Sequence, residues 1–323
     1  MGTARGYKSQ AVIDFETTFG QDPGTPSGRI MPINSNTVNA SRNKNTANTI
    51  RGHRNPAAPF DGYVNVAGDI VAPVDALAFA FWLKAMFGAP TTTDNTDGTF
   101  THVFKVGDVQ PSLVVEKKFS DAAAIIAYAK YNGCKIGSWN MEIGGDGELV
   151  STFNVVGAKE TIGETAYHGA AADPGFDRFQ ITSADIKEGG VSSGVITSLD
   201  FTVDFGLDTD DNKRAIGGGA YLADIIEGIL GISGNLSALF QNRDLLDKAQ
   251  NSTETSLALS FTDGDNILAI EFAEVQIAPS TPGIDGPQGV LLDLSWQGYF
   301  DDGADASAVK VSLTNTNDGT EYV

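Results

Sequence analysis

Cysteine is nearly missing from this sequence: Cys134 stands alone among 323 residues. That excludes an internal disulfide, and with no CxxC or histidine pairing beside it the thiol does not outline a structural zinc site. Basic residues are scarce as well, 21 Lys and Arg against 41 Asp and Glu, for a formal charge of −20. A nucleic-acid grip needs Lys and Arg to replace phosphate counterions, and an anionic membrane needs the same sign, so both are disfavoured. Long apolar runs are absent. The longest, Ala76 to Leu83, falls far short of the roughly 20 residues that span a bilayer. Arg5 and Lys8 have no apolar stretch behind them, so no signal peptide is expected. These absences describe an acidic, soluble protein of a reducing compartment.

What is present is a globular composition, 41% hydrophobic, with the charge unevenly placed. Residues 1–165 hold 16 acids and 14 bases, whereas residues 166–323 hold 25 acids and 7 bases. Such asymmetry suggests that the two halves face different surroundings. Alternation and β-branched content predict strands at Tyr63–Val71, Ser112–Glu116, Lys135–Ile143 and Glu148–Val156. Further strands are expected at Val195–Phe205, Ile229–Phe240, Ser256–Thr262, Asn266–Ile277 and Gly289–Phe300. Gly144-Gly145-Asp146-Gly147 and Asp263-Gly264-Asp265 read as tight turns between neighbours. Two helices are expected. Asp75 caps Ala76–Phe87, stopped by Gly88, and Asn242 caps Arg243–Gln250. The first is apolar nearly all round and should be buried. Gly and Pro cluster in exposed loops at Asp22–Gly28 and Ser280–Gly289.

The chain also resembles itself. At a spacing of 166, Ile30–Ile70 lies over Ile196–Leu236 without a gap. Ile30/Ile196, Ile50/Ile216, Gly52/Gly218, Ala57/Ala223, Gly62/Gly228 and Gly68/Gly234 are identical, and Ile33/Leu199, Val64/Leu230, Val66/Ile232 and Ile70/Leu236 stay apolar. With two residues of slack, Trp82-Leu83-Lys84-Ala85 then meets Leu246-Asp247-Lys248-Ala249. The shared order of strands, helix and hairpin suggests a duplicated β-rich unit with a junction around Ala158–Gly190.

Candidate chemistry fails on its own terms. His53, His102 and His168 have neither an i/i+4 partner nor an acid pattern for a metal. Gly190-Val191-Ser192-Ser193-Gly194 spells a nucleophile elbow, but that motif needs a strand before it and a helix after it, and here a strand follows. Asp208-Thr209-Asp210-Asp211-Asn212 opens like a calcium loop, yet Lys213 and Gly219 stand where glycine and glutamate are required. Glycines 217–219 lack the Lys-Ser ending of a phosphate loop. No catalytic, cofactor or metal residues are therefore assigned, and no enzyme is expected.

One stretch is more specific. Thr49-Ile50-Arg51-Gly52-His53-Arg54 leads to Gly62-Tyr63-Val64-Asn65-Val66-Ala67-Gly68-Asp69-Ile70 and Pro73-Val74-Asp75. Then come Phe81-Trp82-Leu83-Lys84-Ala85-Met86-Phe87-Gly88-Ala89-Pro90, Thr101-His102-Val103-Phe104 and Pro111-Ser112-Leu113-Val114-Val115-Glu116-Lys117. Gly133-Cys134-Lys135-Ile136 and Gly157-Ala158-Lys159-Glu160 close the series. This ordered run, about residues 49–161, resembles the tail tube proteins (major tail proteins) of long-tailed bacteriophages and prophages. The second half matches in architecture alone.

The resemblance implies a mainly β fold: two tandem β-sandwich tail-tube domains, each with a flanking short α-helix, whose inner sheets join into a ring-forming β-barrel. The boundaries would be an N-terminal arm at 1–29, a first domain at 30–161, a linker at 162–190 and a second domain at 191–323. Rings would stack into the conduit for genome ejection, in a virion tail made in the bacterial cytoplasm. If each domain supplies four inner strands, a two-domain chain needs a trimer with pseudo-six-fold symmetry in place of a hexamer. Partners implied are further copies of the chain and the tape-measure, tail-terminator and tail-tip proteins. Duplex DNA would pass without specific binding, with no cofactor and no membrane. Strand acids Glu142, Glu148, Asp200, Asp204 and Asp293 are candidates for the lumen wall, and Phe79, Trp82, Leu83 and Phe87 for a helix packing between subunits. A secreted or cell-surface β-sandwich adhesin or binding module is the alternative, disfavoured by the lack of a leader and of an exposed aromatic platform.

Overall fold

The computed structural model describes residues 4–119, 128–214, 217, 219–284, 286–303 and 305–322. The elements, in chain order, begin with β1 (Gln10–Phe15), β2 (Arg29–Met31), β3 (Ser35–Asn36), β4 (Asn39–Asn45), β5 (Phe60–Pro73) and α1 (Phe79–Phe87). There follow β6 (Thr91–Asp94), β7 (Phe100–Lys105), β8 (Leu113–Lys118), β9 (Tyr128–Ile143), β10 (Val150–Gly157) and β11 (Lys159–Gly163). The second half holds β12 (Ala184–Glu188), β13 (Val191–Ser192), β14 (Ile196–Asp204), β15 (Gly231–Leu239) and α2 (Asp244–Gln250). It ends with β16 (Thr255–Asp263), β17 (Asn266–Ile277), β18 (Leu291–Tyr299) and β19 (Lys310–Asn315).

All these strands join one antiparallel network that does not close into a barrel. Its spine runs β4–β5–β10–β9–β14–β15–β18–β17. Two flanking sheets branch from it where long strands change partners. The N-terminal part of β9 leaves the spine to pair with β8 and β11, and β8 carries β1 and then β2. The N-terminal part of β17 likewise pairs with β16 and β19. From there β16 leads to β12 and β13, and β19 leads to β7 and β6. A register shift in β9 at Asn154/Val155 of its partner marks the bend, as a bulge does where a strand must turn.

Every strand expected from alternation is present within a few residues, because a half-buried strand must place apolar side chains on every second position. β10 and β18 show this period directly, with Ser151, Phe153 and Val155 buried between half-buried neighbours, and Leu292, Leu294 and Trp296 buried between exposed ones. Ten of the described strands lie outside those expectations: β1–β4, β6, β7, β11–β13 and β19. Gln10–Phe15 lies inside the stretch expected to be a polar arm, yet it forms β1 between β2 and β8 with Ala11, Val12, Ile13 and Asp14 buried.

Helix α1 starts at Phe79, three residues later than expected, although Asp75 still accepts from the N–H groups of Leu77 and Ala78 at 2.8 and 2.6 Å. Gly88, with φ of 85°, ends it. Trp82 stacks on Phe153 with ring centroids 4.8 Å apart, and Phe87 meets Trp139 and Phe205. The expectation that Phe79, Trp82, Leu83 and Phe87 face a neighbouring subunit is corrected here: all four are buried by their own chain. An all-apolar helix needs cover on every side, and the strands of both halves supply it in one continuous core.

Candidate assembly surface

The spine has one buried face and one polar face. On the polar face the register aligns Asn39 and Ser41 of β4, Asn65, Ala67 and Asp69 of β5, Thr152 and Asn154 of β10, and Ser138, Asn140 and Glu142 of β9. It continues with Asp200, Thr202 and Asp204 of β14, Ser233, Asn235 and Ser237 of β15, and Asp293, Ser295 and Gln297 of β18. Apart from Ala67 these positions carry acids, amides and hydroxyls, and Lys44 enters only at the end of the face, paired with Asp61.

Short polar side chains tie this face together. Asn154 Nδ2 donates to Asp69 Oδ1 at 2.8 Å, Asn140 Nδ2 to Thr202 Oγ1 at 3.0 Å, and Asn235 Nδ2 to Asp200 Oδ1 at 3.1 Å. Ser237 Oγ donates to Asp293. Asp200 and Glu142 stand directly opposite across β14 and β9. Like charges in that relation repel, so they remain where water screens them. Four of the five candidate lumen acids, Glu142, Asp200, Asp204 and Asp293, thus share one face, and Asp69 joins them although alternation alone did not single it out. Glu148 does not. It sits in the β9–β10 turn, ion-paired to Arg178 at 2.9 Å and bonded by Asn34 Nδ2 at 2.6 Å.

The β14–β15 connection (described at 205–214, 217 and 219–230) folds back over one end of this face. Lys135 Nζ donates to Ile225 O at 2.7 Å and pairs with Glu227 at 2.6 Å. Burial works to raise the Glu227 pKa, but the hydrogen bonds from Lys135 and the Gln110 N–H outweigh it and hold the carboxyl below its ordinary value. Arg214 Nη1 donates to Val64 O at 2.7 Å and its guanidinium lies 4.8 Å from the Tyr63 ring. Leu222 and Ile225 bury Ala158 in a small separate core.

The sites set aside on sequence grounds sit as follows. Ser192 Oγ donates to Asp185 on a surface hairpin with no histidine partner. Asp208 is ion-paired to Lys213 at 2.9 Å, and Gly218 lies outside the described residues. His102 is buried against Tyr322 between Thr92 and Asn315, and burial lowers its pKa. Cys134 is buried, and burial pushes its thiol up. Among the described residues no group of His, Cys, Asp and Glu is arranged to hold a metal, and no helix is long and apolar enough to cross a membrane.

The fold and its surface define a mainly β protein built around a broad polar sheet face that bears acids. The model of the phage tail tube protein family matches residues 6–298, and the chain belongs to that family. No curated protein matched it. Membership decides for the tail tube over the cell-surface module.

Proposed function

We propose that this chain polymerises into stacked trimeric rings, each protomer contributing two equivalent units, and that the polar face of the spine lines the channel through which DNA leaves the capsid. The observation that carries this reading is an element-by-element correspondence between the halves. In order and in pairing, β1 answers to β12, β2 to β13, β4 to β14, β5 to β15 and α1 to α2. The series continues with β8 to β16, β9 to β17, β10 to β18 and β11 to β19, leaving the two-residue β3, which pairs with β5, and the β6–β7 hairpin, which pairs with β19, as additions of the first half. The spacing of 166 holds for β5 and β15, whereas Ile30 falls on β2 and Ile196 on β14. The Ile50/Ile216 and Gly52/Gly218 pairs lie partly outside the described residues. The expected boundaries shift accordingly: the first unit begins with β1 and the second with β12.

Within the chain the two units join edge to edge, β9 to β14, over Leu199↔Ile143 to Asp204↔Ser138. The matching edges at the ends of the spine are β4 and the C-terminal end of β17. An exposed edge of this kind invites pairing with another copy, and ring closure removes it. With four spine strands per unit, six units make about 24 strands, and a spacing of about 4.8 Å with a tilt near 40° sets a backbone diameter of roughly 48 Å. Side chains leave on the order of 35–40 Å, room for duplex DNA. An acidic wall repels phosphate, so DNA slides without sticking. Catalysis has no part in this role, and tape-measure, terminator and tip proteins are the expected contacts at the tube's core and ends.

Electron microscopy of the concentrated protein and of intact particles, averaged down the tube axis, tests the reading. Three protomers per ring, each with two similar lobes, is the expected result. Six protomers per ring would keep the tube and remove the duplication, and beaded, non-tubular chains would remove both.

A further inference from the structure

The correspondence between halves exposes one place where they differ in cover. In the first half, Gly157 pairs with Val66; in the second, Gly298 pairs with Ile232, the partner of Val66 at the 166 spacing. The positions around them therefore correspond: Tyr63 and Val64 to Ile229 and Leu230, and Ala158 to Tyr299. In the first half this patch is roofed. The Val64 N–H donates to Ala220 O at 3.2 Å, Arg214 donates back to Val64 O, and Leu222 and Ile225 cover Ala158, which is 2% exposed. In the second half the same patch is open. Ile229 is 95% exposed and Phe300 56%, and together with Val106, Gly107, Leu230 and Tyr299 they line a groove of about 510 Å³.

The roof of the first half is the β14–β15 connection, which crosses the β9–β14 junction to reach it. Its counterpart is the β4–β5 connection, residues 46–59, which leaves the spine at the β4 edge and holds Ile50 98% exposed. We propose that residues 46–59 of one protomer roof the Ile229–Phe300 groove of the adjacent protomer, with Ile50 entering it. This rests on the ring reading above. Charge agrees with it: the connection carries Arg51, His53 and Arg54, while Asp108 lines the groove and Glu254 and Glu274 flank its Tyr299. Tyr299 Oη donates to Glu254 and Tyr299 stands opposite Glu274, which places those carboxylates at the groove. The basic segment of a nearly neutral half thus meets the acidic half of the next copy, a use for the charge asymmetry along the chain.

Single variants Ile50→Cys and Phe300→Cys, purified separately, mixed, assembled and oxidised, test the contact, since the native Cys134 is buried. A disulfide between the two different chains, found in tubes and lost when they are dispersed before oxidation, is the expected result. The double variant Arg51→Glu/Arg54→Glu should lower tube yield about ten-fold, with recovery on adding Glu254→Lys/Glu274→Lys. Tubes that form normally without the disulfide and tolerate the charge reversal would overturn this contact and leave the ring reading standing. Failure of the unmodified protein and of particles to show rings would remove the ring reading and this contact with it.

Discussion

Asp75 shows how one residue can be assigned correctly while its cost stays hidden. Its position before an apolar run marks it as a cap, and its carboxylate does accept two N–H groups ahead of α1. Burial, however, pushes its pKa up to about 6, against hydrogen bonds that pull the other way. Since the folded state holds the proton more tightly than the unfolded chain, stability is greatest below about pH 4 for this group and falls as pH rises toward 6. Asp75→Asn keeps an acceptor and removes the charge, so it should abolish that decline. Denaturant titrations at pH 4 and pH 7 should separate wild type from variant by up to about 3 kcal/mol at the higher pH. Glycine tells a similar story: Gly68 and Gly234 appear in sequence as an identical pair. Only the structure shows why, since a Cβ at Gly68 would lie 2.5 Å from Val38 Cα and one at Gly234 would lie 2.2 Å from Asp200 O.

At the scale of elements, alternation located seven of the eight spine strands because each has one wet and one dry face, and it passed over β4, whose residues are nearly all exposed. β1 escaped it, since Ala11, Val12, Ile13 and Asp14 are all buried and no period of two survives. Its Asp14 is held by Ser27 and Tyr167, a contact that sequence spacing cannot suggest. Glu148 was misplaced for the opposite reason: its polar-apolar neighbours mimic a strand one turn too early. Facing of the remaining acids depended on register, which a single-residue slip inverts. Replacing Glu142, Asp200 and Asp293 together with lysine puts cations on the spine's polar face. DNA release from otherwise intact particles should then slow by an order of magnitude or more and recover with added salt. Unchanged ejection kinetics would exclude this face as the channel wall.

At the scale of the whole molecule, the halves are interlocked. The β6–β7 hairpin lies early in the chain but pairs with β19 over Phe100↔Asn315 to Lys105↔Lys310, and α1 touches Phe205 beyond the junction. A continuous core of this kind unfolds together. Calorimetry should show one transition for the full chain, and a fragment of residues 181–323, which keeps β12, should stay unfolded for want of β6–β7. Two separate transitions would mean that each half is self-sufficient.

Sequence by itself determined the class of the protein: acidic, β-rich, without a catalytic constellation, carrying a run of residues from 49 to 161 that resembles the tail tube family, and repeating itself weakly. Those properties are local, because composition, period and glycine placement are written along the chain. Tertiary structure decided what lies between distant residues: that β9 and β14 join the halves, that α1 is filled from within, and that Asp69 stands among the acids while Glu148 does not. It also showed that one half covers a groove which the other leaves open. Pairing partners and register are properties of two segments at once, and neither segment alone contains them.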